Sequence, residues 1–515
     1  MKRILAVVLV AALILGFGAG CKTEQSAADA IEIILSDEKI TVGGKGISGS
    51  RDAAVYAAKD IVYYESGKDF SYGEGTEKDA HTAQEADEHT VVHITKAGKY
   101  ILKGSLSKGQ IAVDLGKDAK DDETAVVTLV LDGADISCSV APAVIFYRVY
   151  ECGDKEDPKR DVDTSKAGAN VILSKGSVNN VSGSYVAKIY DPETVELNEA
   201  GTKVEDAEKL HKYDGAFYSK MSMNISGEGT LNIAAQNEGL GTEMHLTING
   251  GTINIDSGND GINTNEDEVS VTTINGGEVN INVNGKTGEG DGIDSNGWIV
   301  INGGKVFAQA CANSADSGID SDMGIHINGG SVFATGNMLD RISESEQNFA
   351  VFTFNSKQRG EFSLRNSEGK DIAKEDIKNQ FSYLIISAEN MAEGEYTLWN
   401  GEAQMQGIAA EGGMGGRPQG GGMRPEWQAP NDLPDGATIL PAIPGGEWEG
   451  PQLPEGWKPA DGARPEMPEG SEPPQGFEPP QNGENFPQGG AAEPSDIFKI
   501  AKGGNYFINV APKGE

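Results

Sequence analysis

The tetrapeptide Ile-Asn-Gly-Gly occurs four times, at Ile248–Gly251, Ile274–Gly277, Ile301–Gly304 and Ile327–Gly330. Its Asn residues (249, 275, 302 and 328) are 26, 27 and 26 positions apart, and a weaker copy, Ile225-Ser226-Gly227, lies 23 residues before the first Ile. A period between roughly 20 and 50 residues implies a repeat architecture, in which each unit buries its apolar face only against the next. Each turn is flanked by alternating apolar and polar residues, such as Ile253/Ile255, Val279/Ile281, Val306/Ala308 and Val332/Ala334 on the far side. Period-two alternation specifies strands with one face inward. Two or three short strands per repeat fit one coil of a parallel β-helix, whereas propeller blades need roughly 40–50 residues. The expected fold is all-β: a right-handed parallel β-helix solenoid. Its equivalent Asn residues should stack about 4.8 Å apart and hydrogen-bond along the axis.

A second column lies between these turns. It reads Asp260-Gly261-Ile262-Asn263-Thr264-Asn265, then Asp291-Gly292-Ile293-Asp294-Ser295-Asn296, then Ser317-Gly318-Ile319-Asp320-Ser321-Asp322. In extended chain the residues two apart share a side, so stacking aligns their oxygens, with Glu289, Asp291 and Asp316 nearby. Repulsion among such carboxylates favours a cation between them. Ca²⁺ suits the set, because it takes six to eight oxygen ligands in irregular geometry while Mg²⁺ demands a near-ideal octahedron. The alternative is a solvated Asp/Asn-rich turn ladder without metal. The candidate ligands are Asp260, Asn263, Asn265, Glu289, Asp291, Asp294, Asn296, Asp316, Asp320 and Asp322.

The formal net charge of −37 over 515 residues argues against nucleic acid as a partner. The four Cys form no CxxC pair, and the HExxH, GxSxG and GxxxxGK[ST] signatures do not occur. A zinc ribbon, a zincin, an α/β-hydrolase and a P-loop NTPase therefore lack their usual signals. Lys2 and Arg3 precede an apolar run from Ile4 to Phe17 and the small residues Gly18-Ala19-Gly20 before Cys21. This reads as a secretory signal over 1–20 with a lipid on Cys21, placing the protein outside the cell and anchored to the bacterial membrane. Whether Cys138 and Cys152 pair is open in the sequence.

Residues 21–30 are then a tether, 31–210 an N-terminal β-rich part of the solenoid with excursions, 211–340 the regular coils and 341–410 a C-terminal β-rich part. Residues 411–495 hold 17 of the 21 Pro and 18 Gly, a composition expected to stay disordered. Residues 496–515 read as strands returning to the body.

Several blocks resemble the bacterial secreted or lipid-anchored carbohydrate-binding domain-containing proteins. They are Ile94–Tyr100, Gly104-Ser105-Leu106, Gly109-Gln110-Ile111, Val127–Ile136, Gly215–Lys220 and the coils themselves. The resemblance covers most of residues 90–405 and departs from the pattern at Ser137–Cys152, around 190–213 and at Ser317. It implies a calcium-bound β-helix, similar to certain pectate lyases, that binds cellulose- or pectin-type polysaccharide. The leading expectation is a non-catalytic surface protein, with Trp298, Phe307 and Phe333 as candidate sugar-stacking rings; alternation turns the two Phe outward, and the alternative for each ring is packing. One alternative is a calcium-dependent polysaccharide lyase using Lys286 or Lys305 as base. The other is a structural adhesin or surface spacer with no glycan ligand.

Overall fold

The computed structural model describes residues 30–343, 345–410 and 493–514. The expected signal, Cys21, the tether up to residue 29 and residues 411–492 of the Gly/Pro-rich stretch lie outside the described residues. All described residues except Glu493 fall in one compact unit, which holds the repeats.

That unit is almost entirely β, with one short α-helix, Ala83–Glu88, and one 3₁₀ turn, Ala119–Asp121, among the described residues. Each regular repeat supplies three short strands. In one they are Ile262–Thr264, Val271–Ile274 and Glu278–Val283. The next contributes Ile293–Ser295, Trp298–Ile301 and Lys305–Gln309, and the one after it Ile319–Ser321, Gly324–Ile327 and Ser331–Gly336. Every strand pairs in parallel with its equivalent in the next repeat. Ile262 lies against Ile293 and Ile293 against Ile319, Thr272 against Ile299 and Ile299 against Ile325, and Val279 against Val306 and Val306 against Val332. The same three stacks continue toward the N-terminus through Glu238–Thr242 and Gly215–Ser219, Leu246–Ile248 and Met223–Gly227, and Thr252–Ser257 and Thr230–Ala235.

The alternation explains the packing. Leu231, Ile253, Val279, Val306 and Val332 form one buried column, and Ile248, Ile274, Ile301 and Ile327 form another. Each such side chain contributes about 1.5–3 kcal/mol through apolar burial. Outside the core, Asn Nδ2 donates to the next Asn Oδ1 at 2.9 Å from Asn275 to Asn249, Asn302 to Asn275 and Asn328 to Asn302. A second amide ladder runs through Asn180, Asn232, Asn254 and Asn280. The Gly-Gly turn is constrained twice. Gly277 has φ +86°, and a Cβ there would lie 2.5 Å from the Gly251 carbonyl oxygen.

The sheets are mixed rather than wholly parallel. Ser331–Gly336 pairs antiparallel with Asp371–Ser387, which ends its parallel stack. Beyond it, Phe349–Asn366, Gly394–Asn400, Ala403–Ala409 and Gly504–Pro512 pair in a closed ring. The ring and its neighbours enclose a second core that includes Phe352, Phe354, Phe362, Phe381, Phe498 and Phe507. The strand pattern near the C-terminus thus becomes Phe498–Ile500 and Gly504–Pro512, which complete this part.

Gly277→Ala and Gly288→Ala both place Ala at positive φ, but Gly288 faces open space. Urea unfolding should show Gly288→Ala losing about 1–2 kcal/mol from backbone strain alone. Gly277→Ala should lose clearly more, because the turn below must also move; equal losses would mean the stacked turns are not in tight contact.

Candidate cation and sugar-binding site

The first strand stack carries the acidic column. In each Asp-Gly-Ile triplet the Ile plugs the core: Ile262, Ile293 and Ile319 are fully buried. The Gly lets the chain lie close on its neighbours. A Cβ on Gly261 would come within 2.2 Å of the Ile281 side chain, and one on Gly292 within 2.4 Å of the Gly318 carbonyl. That approach draws the flanking carboxylates off the solvent. Asp260 is 8% exposed and Asp291 5%.

Two parallel rows result. One holds Glu238, Asp260, Asp291 and Ser317, linked by the backbone bonds Gly239 N–H to Asp260 O, Gly261 N–H to Asp291 O and Gly292 N–H to Ser317 O. The other, three residues on, holds Gly241, Asn263, Asp294 and Asp320 in register. One carboxylate oxygen of each row Asp is satisfied from the next repeat. The Asp291 N–H donates to Asp260 Oδ1 (2.7 Å) and the Ser317 N–H to Asp291 Oδ1 (2.5 Å). At the far end, carboxylate oxygens of Asp291, Asp294 and Asp320 lie within 4.8 Å of one another. At the near end, Asn263 Nδ2 donates to Glu238 Oε1 (2.9 Å) and Asp260 Oδ2 (3.3 Å). Glu238 Oε2 and Asn263 Oδ1 are buried without a hydrogen-bond partner.

Such a cluster is electrostatically expensive when empty. Burial, with mutual repulsion second, pushes the carboxyls of Glu238, Asp260 and Asp291 well above the usual carboxylate range. For Asp291 the chief repelling neighbour is Asp320, and for Asp260 it is Glu238. Asp214, which adds to the repulsion at Glu238, has its own counter-ion in Lys212 at 3.0 Å.

Five of the ten expected ligands are gathered here: Asp260, Asn263, Asp291, Asp294 and Asp320. Asp316 lies close enough to raise Asp260, but its Oδ2 accepts from the Gly290 N–H (2.6 Å) and the Ser314 hydroxyl. Glu289 and Asp322 are exposed. Asn265 and Asn296 sit on the adjoining turn, their amides donating to the Thr242 and Asn265 carbonyls respectively. They line a cleft with Lys212, Tyr218 and Glu243 rather than the buried rows. Glu238 joins the rows although the triplet pattern does not single it out. Its signal is Glu238-Gly239-Leu240, a degenerate copy of the triplet with Glu for Asp and Leu for Ile.

The expected sugar-stacking rings need correction. Phe307 and Phe333 do alternate with inward residues, but the antiparallel strands cover that face over the last repeats. Phe333 is 4% exposed and packs edge-on against half-buried Phe307, with centroids 5.9 Å apart, in the second core. A covered ring offers no face to a sugar. Trp298 is half-buried at the start of its strand. Lys305 is paired with Glu375 (2.8 Å) and Glu278 (3.5 Å), and the Glu375 hydrogen bond holds its ammonium above the ordinary lysine range. Cys138 and Cys152 are unpaired thiols.

A family model described as carbohydrate-binding domain-containing protein matches residues 88–363. A protein of that description from Acetivibrio thermocellus is 28% identical over 165 residues, which is 32% of this chain and 44% of that protein. The chain therefore spans less than half the length of that curated relative. The solved polysaccharide lyase-like protein from C. thermocellum, as its gadolinium derivative, aligns over 62% of this chain and 92% of its own. That alignment has 20% identity and a TM-score of 0.32. With the family model covering more than half of the 515 residues, the chain belongs to the carbohydrate-binding domain-containing protein family.

Proposed function

We propose that the protein is a non-catalytic, calcium-loaded polysaccharide-binding protein of the bacterial cell surface. Its three strand stacks are read as one parallel β-helix, right-handed because parallel crossovers are so in about 98% of cases. The observation that carries the calcium reading is the pair of orphaned buried oxygens, Glu238 Oε2 and Asn263 Oδ1, beside the carboxylate rows. A buried polar atom without a partner costs about 1–3 kcal/mol, more when charged, and a cation removes that cost. An all-oxygen, irregular donor set of carboxylates and an amide carbonyl suits Ca²⁺.

Polysaccharide of the cellulose or pectin type is the proposed partner, supported by the family. Calcium at the half-buried Asp294 and Asp320 would face outward and bridge an acidic chain to a protein of charge −37. The counter-ions on Lys305 support the non-catalytic reading over a lyase that uses it as base. Secretion and a lipid on Cys21 belong to the same proposal and rest on the sequence pattern alone.

Purified protein should carry calcium by elemental analysis and bind insoluble polysaccharide in a way that chelator abolishes. Sustained release of unsaturated product from polygalacturonate would overturn the non-catalytic reading. Asp291→Asn with Asp294→Asn should lower the calcium content. Calcium at a hundredfold excess over Kd should stabilise the native protein by about 2.7 kcal/mol per independent site, and the double variant by less.

The raised carboxyls give a pH signature. In chelator, the folded form keeps protons on Glu238, Asp260 and Asp291 that the unfolded chain has released. Their stabilising contribution is therefore full below about pH 4 and lost as pH rises through the raised folded values. Thermal melts in chelator should fall from acid toward neutral pH. Added calcium should restore stability at neutral pH and do little near pH 4.

A further inference from the structure

The block Gly215–Lys220 does more than contribute a strand. Its last residue, Lys220, follows Gly215–Ser219 and donates its backbone N–H to the Phe146 carbonyl, which places it beside Tyr147 of the preceding repeat. The two residues line a cleft of about 340 Å³ together with Arg148, His93, His211 and Leu210. That volume falls in the range of small-molecule sites, roughly 300–1,000 Å³.

Asp60 and Asp114 also line the cleft, so its two carboxylates formally balance Arg148 and Lys220, but both are engaged by cations other than Lys220. Arg148 is engaged by Asp114 in a two-pronged pair, and Asp60 pairs with Arg51 (2.7 Å) and with His93 (2.7 Å). Glu243, the carboxylate whose charge acts most on Lys220, already accepts from Lys209 (3.2 Å) and the Tyr218 hydroxyl (3.0 Å). The Lys220 ammonium has no ion pair or side-chain hydrogen bond among the described residues, although it is half-buried. Burial depresses its pKa, against the opposing attraction of Glu243. With Asp114 held by Arg148 and Asp60 by Arg51 and His93, the Lys220 ammonium is the lining cation left to meet an external anion.

The walls restrict the anion. Tyr147 stands edge-on to Tyr213 at 5.4 Å, and Leu210 is 43% exposed at the rim, so part of the lining is apolar. His211 shares a hydrogen bond of 2.6 Å with the Tyr213 hydroxyl through Nδ1, leaving Nε2 for a ligand hydroxyl. One cation, ring faces and a few polar groups suit a single carboxylate on a polar ring better than a phosphate, which calls for several donors. We propose that this cleft is a uronate subsite, with Lys220 taking the carboxylate of one sugar acid and Tyr147 and Leu210 its apolar edge. The assignment rests on the carbohydrate-binding reading above but not on calcium.

The test is calorimetric titration of the full chain with trigalacturonate and with cellotriose, in chelator, so that the acidic rows take no part. Trigalacturonate should bind and cellotriose bind at least about tenfold more weakly, since only the former offers Lys220 a carboxylate. Lys220→Met keeps the apolar stem and should cost at least tenfold in trigalacturonate affinity, while Lys220→Arg should stay near the native value. Both variants are checked for native thermal unfolding, and Lys175→Met, at an exposed lysine paired with Glu228, serves as control. No trigalacturonate binding, equal binding of the two sugars, or a Lys220→Met variant that binds like the native protein would overturn the subsite. Chelator-insensitive binding to whole polymer, with the Lys220 effect intact, would instead strike only the calcium reading.

Discussion

Parallel stacking without offset is the constraint on which the rest of this molecule depends. When Ile262 lies on Ile293 and Ile293 on Ile319, every side chain has its counterpart directly above and below. Whatever chemistry one repeat carries is therefore multiplied into a column about 4.8 Å in pitch. Aliphatic columns gain from this by burial. Amide columns gain by donating and accepting in one direction, as the two Asn ladders do. Carboxylate columns lose, because like charges are brought together and dried.

The carboxylate rows thus stand apart energetically from the remainder of the stacked strands. Their glycines let the chains pack closely enough to bury Asp260 and Asp291, and the amide N–H groups of the next repeat answer only one oxygen of each. Geometry that stabilises the fold elsewhere here concentrates negative potential at one edge. The calcium proposed above would answer that arrangement with hard positive charge. The Lys220 cleft, toward the N-terminal end of the same stack, holds instead a half-buried cation with no ion pair among the described residues.

The C-terminal antiparallel strands change what the repeat can display. By pairing with Ser331–Gly336 they stop that stack from offering an open edge, which would otherwise template aggregation. The same cover places Phe307 and Phe333 in a second core. Phe rings that alternation turns outward are thereby removed from the surface available to a ligand.

Much of this is legible in the chain. The recurring Ile-Asn-Gly-Gly turn, its alternating flanks and the Asp-Gly-Ile triplets are local patterns, and local patterns determine strand position, inward face and register of equivalent residues. The triplet motif aligns Asp260 with Asp291, and Asn263 with Asp294 and Asp320, although the first of these steps is 31 residues where the Asn-Gly-Gly turns recur every 26 or 27. Three things depend on long-range packing and are decided only in the tertiary structure. Glu238 joins the rows because stacking, not sequence identity, aligns a Glu-Gly-Leu with an Asp-Gly-Ile. Asn265, Asn296 and Asp322 fall outside because a strand three residues long ends before it can carry them into the cluster, and Glu289 stays exposed on the loop ahead of its strand. Phe333 is buried because strands from residues 349–387 fold back over its repeat. Sequence periodicity encodes which residues share a column; what lies across from a column is set by chain segments far away, which no local period records.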